Sequence, residues 1–128
     1  MRPGGVLRDV ASTQMIAIIF EVIPAAGQRD HYLELAARLK PELELIEGFV
    51  SVERFQSLTN PDKLLSLSWF TDEAAVSRWR QHMEHRNAQA AGRGGVFQDY
   101  RLRVASLIRD YGLEERGGAP ADSTTIHS

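Results

Sequence analysis

Nine residues near the start of the chain constrain its fold more than any others: MIAIIFEVI, Met15–Ile23, closed by Pro24. The run is rich in β-branched residues and ends on one that cannot donate to a ladder, so it reads as a strand. Neighbours in a strand point to opposite faces. Ile16, Ile18, Phe20 and Val22 therefore share one face; Ala17, Ile19 and Ile23 share the other with Glu21. Both faces are apolar. Such a strand sits inside its sheet and needs cover on both sides.

The following segments supply the sheet and one layer of cover. Ala26–Ile46 places Tyr32, Leu35, Ala36, Leu39, Leu43 and Ile46 on one face at the helical period. Pro41 removes the amide that would bond the Ala37 carbonyl, which predicts a kink or restart there. Gly48 is expected as a left-handed cap. Phe49–Ser57 reads as a second strand and Leu64–Phe70 as a third. The turn residues Thr59-Asn60-Pro61-Asp62 join the two as a hairpin. In the third strand Leu65, Leu67 and Trp69 face one way and Leu64, Ser66, Ser68 and Phe70 the other.

Thr71 is the expected cap of a second helix whose inner stripe is Ala75, Val76, Trp79 and Met83. Gly92, Gly94 and Gly95 break that helix. Val96–Ile108 is strand four, with Tyr100, Leu102 and Val104 alternating against Asp99, Arg101 and Arg103. The order β-α-β-β-α-β is the ferredoxin-like α+β arrangement, an antiparallel sheet with both helices on one face. The other face keeps its apolar residues and has no cover within the chain. Two sheets packed face to face as a homodimer, a dimeric α+β barrel, is the expected remedy.

At 128 residues and 43% hydrophobic content, the chain suits one domain with a modest core. Fifteen basic and 17 acidic residues give a net charge of −2, which makes no electrostatic case for nucleic acid or a membrane surface. With no cysteine, disulfides and thiolate chemistry are excluded. The first fourteen residues lack the apolar core of a signal peptide, and the longest apolar run, Met15–Phe20, is too short to span a bilayer. The expected organisation is a disordered lead over 1–14, a folded domain over 15–112 and a disordered tail over 113–128. A cytoplasmic location is expected.

Candidate chemistry gathers late in the chain. His82 and His85 are three apart, but the nearby carboxylate, Glu84, points elsewhere on a helix, so no metal site is expected. Which of the two histidines faces inward stays open. Trp79 and Trp69 each read as core or as a substrate shelf. Arg93 either holds an anionic oxygen or pairs with the carbonyls of a helix end. GRGG, Gly92–Gly95, has neither the spacing nor the preceding strand of a phosphate loop. Ser66 and Ser68 read as small polar linings. One cluster follows: Trp79, His85, Arg93, Phe97 and Tyr100, with Ser66 or Ser68 opposite. It suits a planar aromatic or quinol-like ligand, bounded by rings and deprotonated by a histidine.

The segments IAIIFEVIPAAGQ, ELELIEGFVSVERFQSLTNPDKLLSLSWFTDEAAVSRWR, EHRNAQAAGR and FQDYRLRV resemble the antibiotic biosynthesis monooxygenase (ABM) family of the dimeric α+β barrel superfamily. IEGF and WFTDEAAVSRW are the most telling pieces. The resemblance implies a homodimeric monooxygenase with no bound metal or flavin, acting on a small aromatic or quinol substrate and oxygen. It casts His85 as base, Arg93 as oxyanion stabiliser, and Trp79 (or Trp69), Phe97 and Tyr100 as walls. A non-catalytic or stress-related ligand-binding dimer of the same fold is the second reading. Haem-degrading members imply a third, with His85 as axial ligand and Trp79 in the tryptophan's place. Their strand-one asparagine falls here at Glu21 or a neighbour, none of which is Asn.

Overall fold

A computed structural model describes residues 14–89, 95–115, 117, 118 and 120. Its elements are β1 (Ile16–Pro24), α1 (Arg29–Glu44), β2 (Phe49–Gln56), β3 (Leu64–Phe70), α2 (Glu73–Gln89) and β4 (Phe97–Ser106). They form one four-stranded sheet in the order β2-β3-β1-β4, antiparallel throughout. The doubly apolar β1 is an inner strand, as its sequence requires.

Register decides which side chains meet. Ile16, Ile18, Phe20 and Val22 lie opposite Phe70, Ser68, Ser66 and Leu64 of β3. Both helices cover this face. Ala75 and Val76 of α2 join Ile16, Ile18 and Phe70 in one core cluster, with Phe49 and Trp79 packed against it. Tyr32 of α1 joins Val22 and Leu64 in a second, flanked by Phe20, Leu33 and Val96. Phe70 is the pivot of the first cluster at 0% exposure, touching Phe49 at 5.7 Å and Trp79 at 6.2 Å between ring centroids.

Three sequence expectations shift. Helix α1 runs through Pro41 without a break. Pro41 and Ala37 are both exposed, so water can solvate the carbonyl that the missing amide leaves. Gly48 has φ +93° but lies beyond the helix end at Leu45. It forms the turn into β2, and its carbonyl accepts the Thr71 N–H at 2.8 Å. Asp72, rather than Thr71, caps α2: its Oδ1 accepts the Ala75 N–H at 2.9 Å.

Beyond Ser106 the chain follows β1 for one more bond, Leu107 N–H to the Met15 carbonyl at 2.9 Å, and then leaves regular structure. The expected lead, Gln14 apart, and much of the expected tail lie outside the described residues. Among the described residues no helix is long and apolar enough to cross a membrane. The second face of the sheet carries half-buried Ile19, Leu65, Leu67 and Trp69 and exposed Phe55.

Candidate functional site

The helix-covered face has a polar middle between its two apolar clusters. Ser66 and Ser68 are buried there, at 9% and 6% exposure, opposite Phe20 and Ile18. On their other flank Arg54 of β2 lies opposite Ser66 and Val52 opposite Ser68. A bulge at Val50, between Phe49 and Ser51, precedes this pairing.

Aromatic rings gather at one end of the same face. Phe20 meets Phe97 at 5.9 Å and Tyr100 at 5.6 Å; Phe97 meets Tyr32 at 5.8 Å. Tyr32 is the helix side chain that reaches Phe97 among these rings, and Phe97 remains 43% and Tyr100 59% exposed. The result is an open aromatic wall.

Strict alternation would put Phe97 and Tyr100 on opposite faces, since they differ by three. They share a face because β1 and β4 shift register at the end of β1. Ile23 pairs with Asp99 and Pro24 with Phe97, which leaves Gln98 as an extra residue on β4. Pro24 has no N–H to give the ladder, and a bulge is the usual accommodation.

The polar contacts of this face centre on Tyr32 and Arg54. Burial pushes the Tyr32 phenol above its ordinary value of 10.0, opposed by the charge of Arg54 and a hydrogen bond with it. The phenol is therefore un-ionised at neutral pH. The Arg54 Nε is sealed from solvent and donates to nothing among the described residues. Sequence reasoning missed Arg54. The signal was its parity with Val52 and Gln56, which puts it on the helix side of β2.

The sequence-predicted site residues do not all come together. Trp79 lies on Phe70 in the first cluster, whereas Phe97 and Tyr100 belong to the aromatic end near Val22. Trp69 pairs with Ala17 and Ser51 and stands on the second face, so it cannot share a site with Ser66 or Ser68. Parity alone separates them. Arg93, with Gly92 and Gly94, lies outside the described residues.

Of the two histidines, His82 is the half-buried one. Its Nε2 is 2.8 Å from Glu42 Oε1 of α1, and Arg86 Nε is 3.6 Å from the same oxygen. This tie holds α2 against α1. His85 is exposed, roughly 120° around the helix from Trp79 at 100° per residue. Among the described residues no cluster of three His, Asp or Glu side chains is disposed to hold a metal ion.

Glu21 belongs to the second face. Its Oε1 accepts from Lys63 Nζ at 3.2 Å and its Oε2 from Arg103 Nη1 at 2.9 Å. The Lys63 hydrogen bond, chiefly, and the charges of Lys63 and Arg103 hold its carboxyl below the ordinary 4.5, against a smaller opposing effect of burial.

A β-α-β-β-α-β sheet with its polar middle under two helices now meets a direct family comparison: the profile of the family described as antibiotic biosynthesis monooxygenase matches residues 15–91. The chain belongs to this family. A relative in Pyricularia oryzae, named jasmonate monooxygenase ABM, is 46% identical over 93 residues. That match covers 73% of this chain and 43% of the relative, so the chain spans less than half of the relative's length.

Solved structures share the family fold at low identity. A Mycobacterium tuberculosis protein, Rv0793, superposes with a TM-score of 0.64 at 14% identity, covering 77% of this chain and 99% of that one. A haem-degrading protein of the same organism gives 0.57 at 13% identity, covering 78% and 98%. These likenesses confirm the ferredoxin-like architecture expected of the family.

Proposed function

We propose that this family member is a monooxygenase that works without a bound metal or flavin on a small ring-bearing substrate. The substrate rests on the helix-covered face. The observation that carries the reading is the aromatic wall of Phe20, Tyr32, Phe97 and Tyr100 beside buried Ser66 and Ser68.

The chemistry demands little of the protein. A methylene made acidic by an adjacent carbonyl or phenolic ring loses a proton, and the resulting carbanion reduces oxygen itself. Written in full, R2CH2 + O2 gives R2C=O + H2O, with no outside reductant. The protein must take the proton, orient the ring and admit oxygen. Rings at 5.6–5.9 Å from one another provide a stacking surface for such a substrate. In this proposal His85 takes the proton, Arg93 stabilises the developing oxyanion, and Trp79 closes the far wall.

The 46% identical relative favours one substrate subclass, jasmonate and similar cyclic keto acids. For the haem-degrading reading His85 stays the candidate axial ligand, since His82 Nε2 is engaged by Glu42. The proposal also takes the protein to act as a homodimer closed over the Leu65, Leu67 and Trp69 face, with a cytoplasmic location.

Oxygen consumption with a panel of hydroquinones, anthrones and jasmonic acid tests the reading. Uptake with at least one of them, slowed 10-fold or more by His85→Ala, is the expected result. Uptake unchanged in that variant removes His85 from the base role. No uptake with any leaves the non-catalytic ligand-binding dimer. A Soret shift on haem titration, abolished by His85→Ala, would instead establish haem binding.

A further inference from the structure

We propose that Arg54 anchors a carboxylate of the substrate, on the far side of β3 from the rings of Phe20, Phe97 and Tyr100. The inference rests on the reading that the helix-covered face receives the substrate, and it names that substrate as an acid.

Arg54 has an unusual setting for a cation in this chain. Glu21 serves two cations, Lys63 and Arg103, and Glu42 serves His82 and Arg86. Arg54, though half-buried, has no carboxylate at ion-pair distance among the described residues. The titratable neighbour that feels its charge is the neutral phenol of Tyr32. Its Nε donates to nothing while shut off from water. A sealed donor without an acceptor is unfavourable, and more so on a charged group. A carboxylate that displaces the side chains covering Nε repairs both deficits, because its two oxygens match the Nε and Nη donors of one guanidinium edge.

The register sets the geometry. Arg54 lies opposite Ser66, Ser66 opposite Phe20, and Phe20 opposite Leu102. One row thus crosses all four strands from the guanidinium, past a buried hydroxyl, to the rings. Three strand spacings make that row roughly 14 Å long. Tyr32 links the two ends above the sheet: its phenol lies within reach of the Arg54 charge and its ring is 5.8 Å from Phe97. A molecule with its acid on Arg54 and its ring against Phe20, Phe97 and Tyr100 lies along this row.

Calorimetric titration of the full chain with jasmonic acid and with its methyl ester tests the anchor. The two share a ring and differ in charge. The acid is expected to bind at least 10-fold more tightly than the ester. Arg54→Gln should erase that preference by weakening the acid alone, and Arg54→Lys should restore only part of it. Equal binding of acid and ester to the unmodified protein overturns the proposal, as does a preference that survives in Arg54→Gln or binding of neither compound. The unmodified-protein comparison holds even where a variant folds poorly. Acid preference without oxygen uptake keeps the anchor and removes the monooxygenase reading; uptake with hydroquinones but no acid preference does the reverse.

Discussion

Phe97 and Tyr100, three residues apart on one strand, meet with ring centroids 5.9 Å apart on the same face of the sheet. Alternation forbids that in a regular strand. The extra residue, Gln98, sits where Pro24 interrupts the ladder. Deleting Gln98 removes the bulge and leaves Phe97 two positions from Tyr100, on the same helix-covered face by ordinary alternation. The deletion is therefore expected to leave far-UV circular dichroism, the near-UV aromatic signal and KM all near those of the parent protein. A weakened near-UV signal together with a KM raised several-fold would show that the wall needs the extra residue itself.

Gly48 is required by both conformation and space. Its φ of +93° disfavours any side chain, and an added Cβ would stand 2.5 Å from Ala75 Cβ and 2.8 Å from Thr71 Oγ1. The turn into β2 thus lies directly on the start of α2. Gly48→Ala should destabilise the fold by about 2–4 kcal/mol, combining backbone strain with overpacking. Chemical denaturation measures it; a loss below half the lower figure would mean that the turn relaxes freely.

Glu21 makes stability depend on acid. Its carboxyl is held below 4.5 in the folded chain by Lys63 and Arg103. A depressed acid contributes stability that is complete above the unfolded value and is lost as pH falls through the folded one. The melting temperature should therefore drop below about pH 4.5 by more in the parent protein than in Glu21→Gln. Parallel acid limbs for the two proteins would contradict this. High salt should shrink the difference, because the pairs are solvent-accessible.

The second face makes a prediction about association. Leu67 pairs with Ile19 and Glu53, in the middle of a surface that also bears Leu65 and Trp69. An interface of ordinary size removes about 800 Å² from each partner. The protein should sediment as a dimer at micromolar concentration, and Leu67→Asp should shift it to a single subunit with its secondary structure retained. A parent protein that sediments as one subunit would leave this face without the expected partner.

Much of the architecture was legible because it rests on local periodicity. The doubly apolar MIAIIFEVI could only be an inner strand, and the split of Leu64, Ser66, Ser68 and Phe70 from Leu65, Leu67 and Trp69 follows from alternation alone. The family resemblance was legible in the same segments. Capping was less so: Thr71 and Asp72 are both competent caps, and only backbone geometry selects Asp72.

The site was legible only in part. Composition drew Trp79, Phe97, Tyr100 and the serines towards one region, yet spacing along a chain does not measure distance across a sheet. Pairing register brought Arg54 into line with Ser66 and Phe20, and helix packing set Trp79 on Phe70, in a different cluster from Phe97. The bulge at Gln98 reversed the face of Phe97. Chain order and apolar pattern determined which elements form and in what sequence they run. Tertiary structure alone decided which polar groups face one another, because register depends on the summed pairing of whole strands and no single residue announces it.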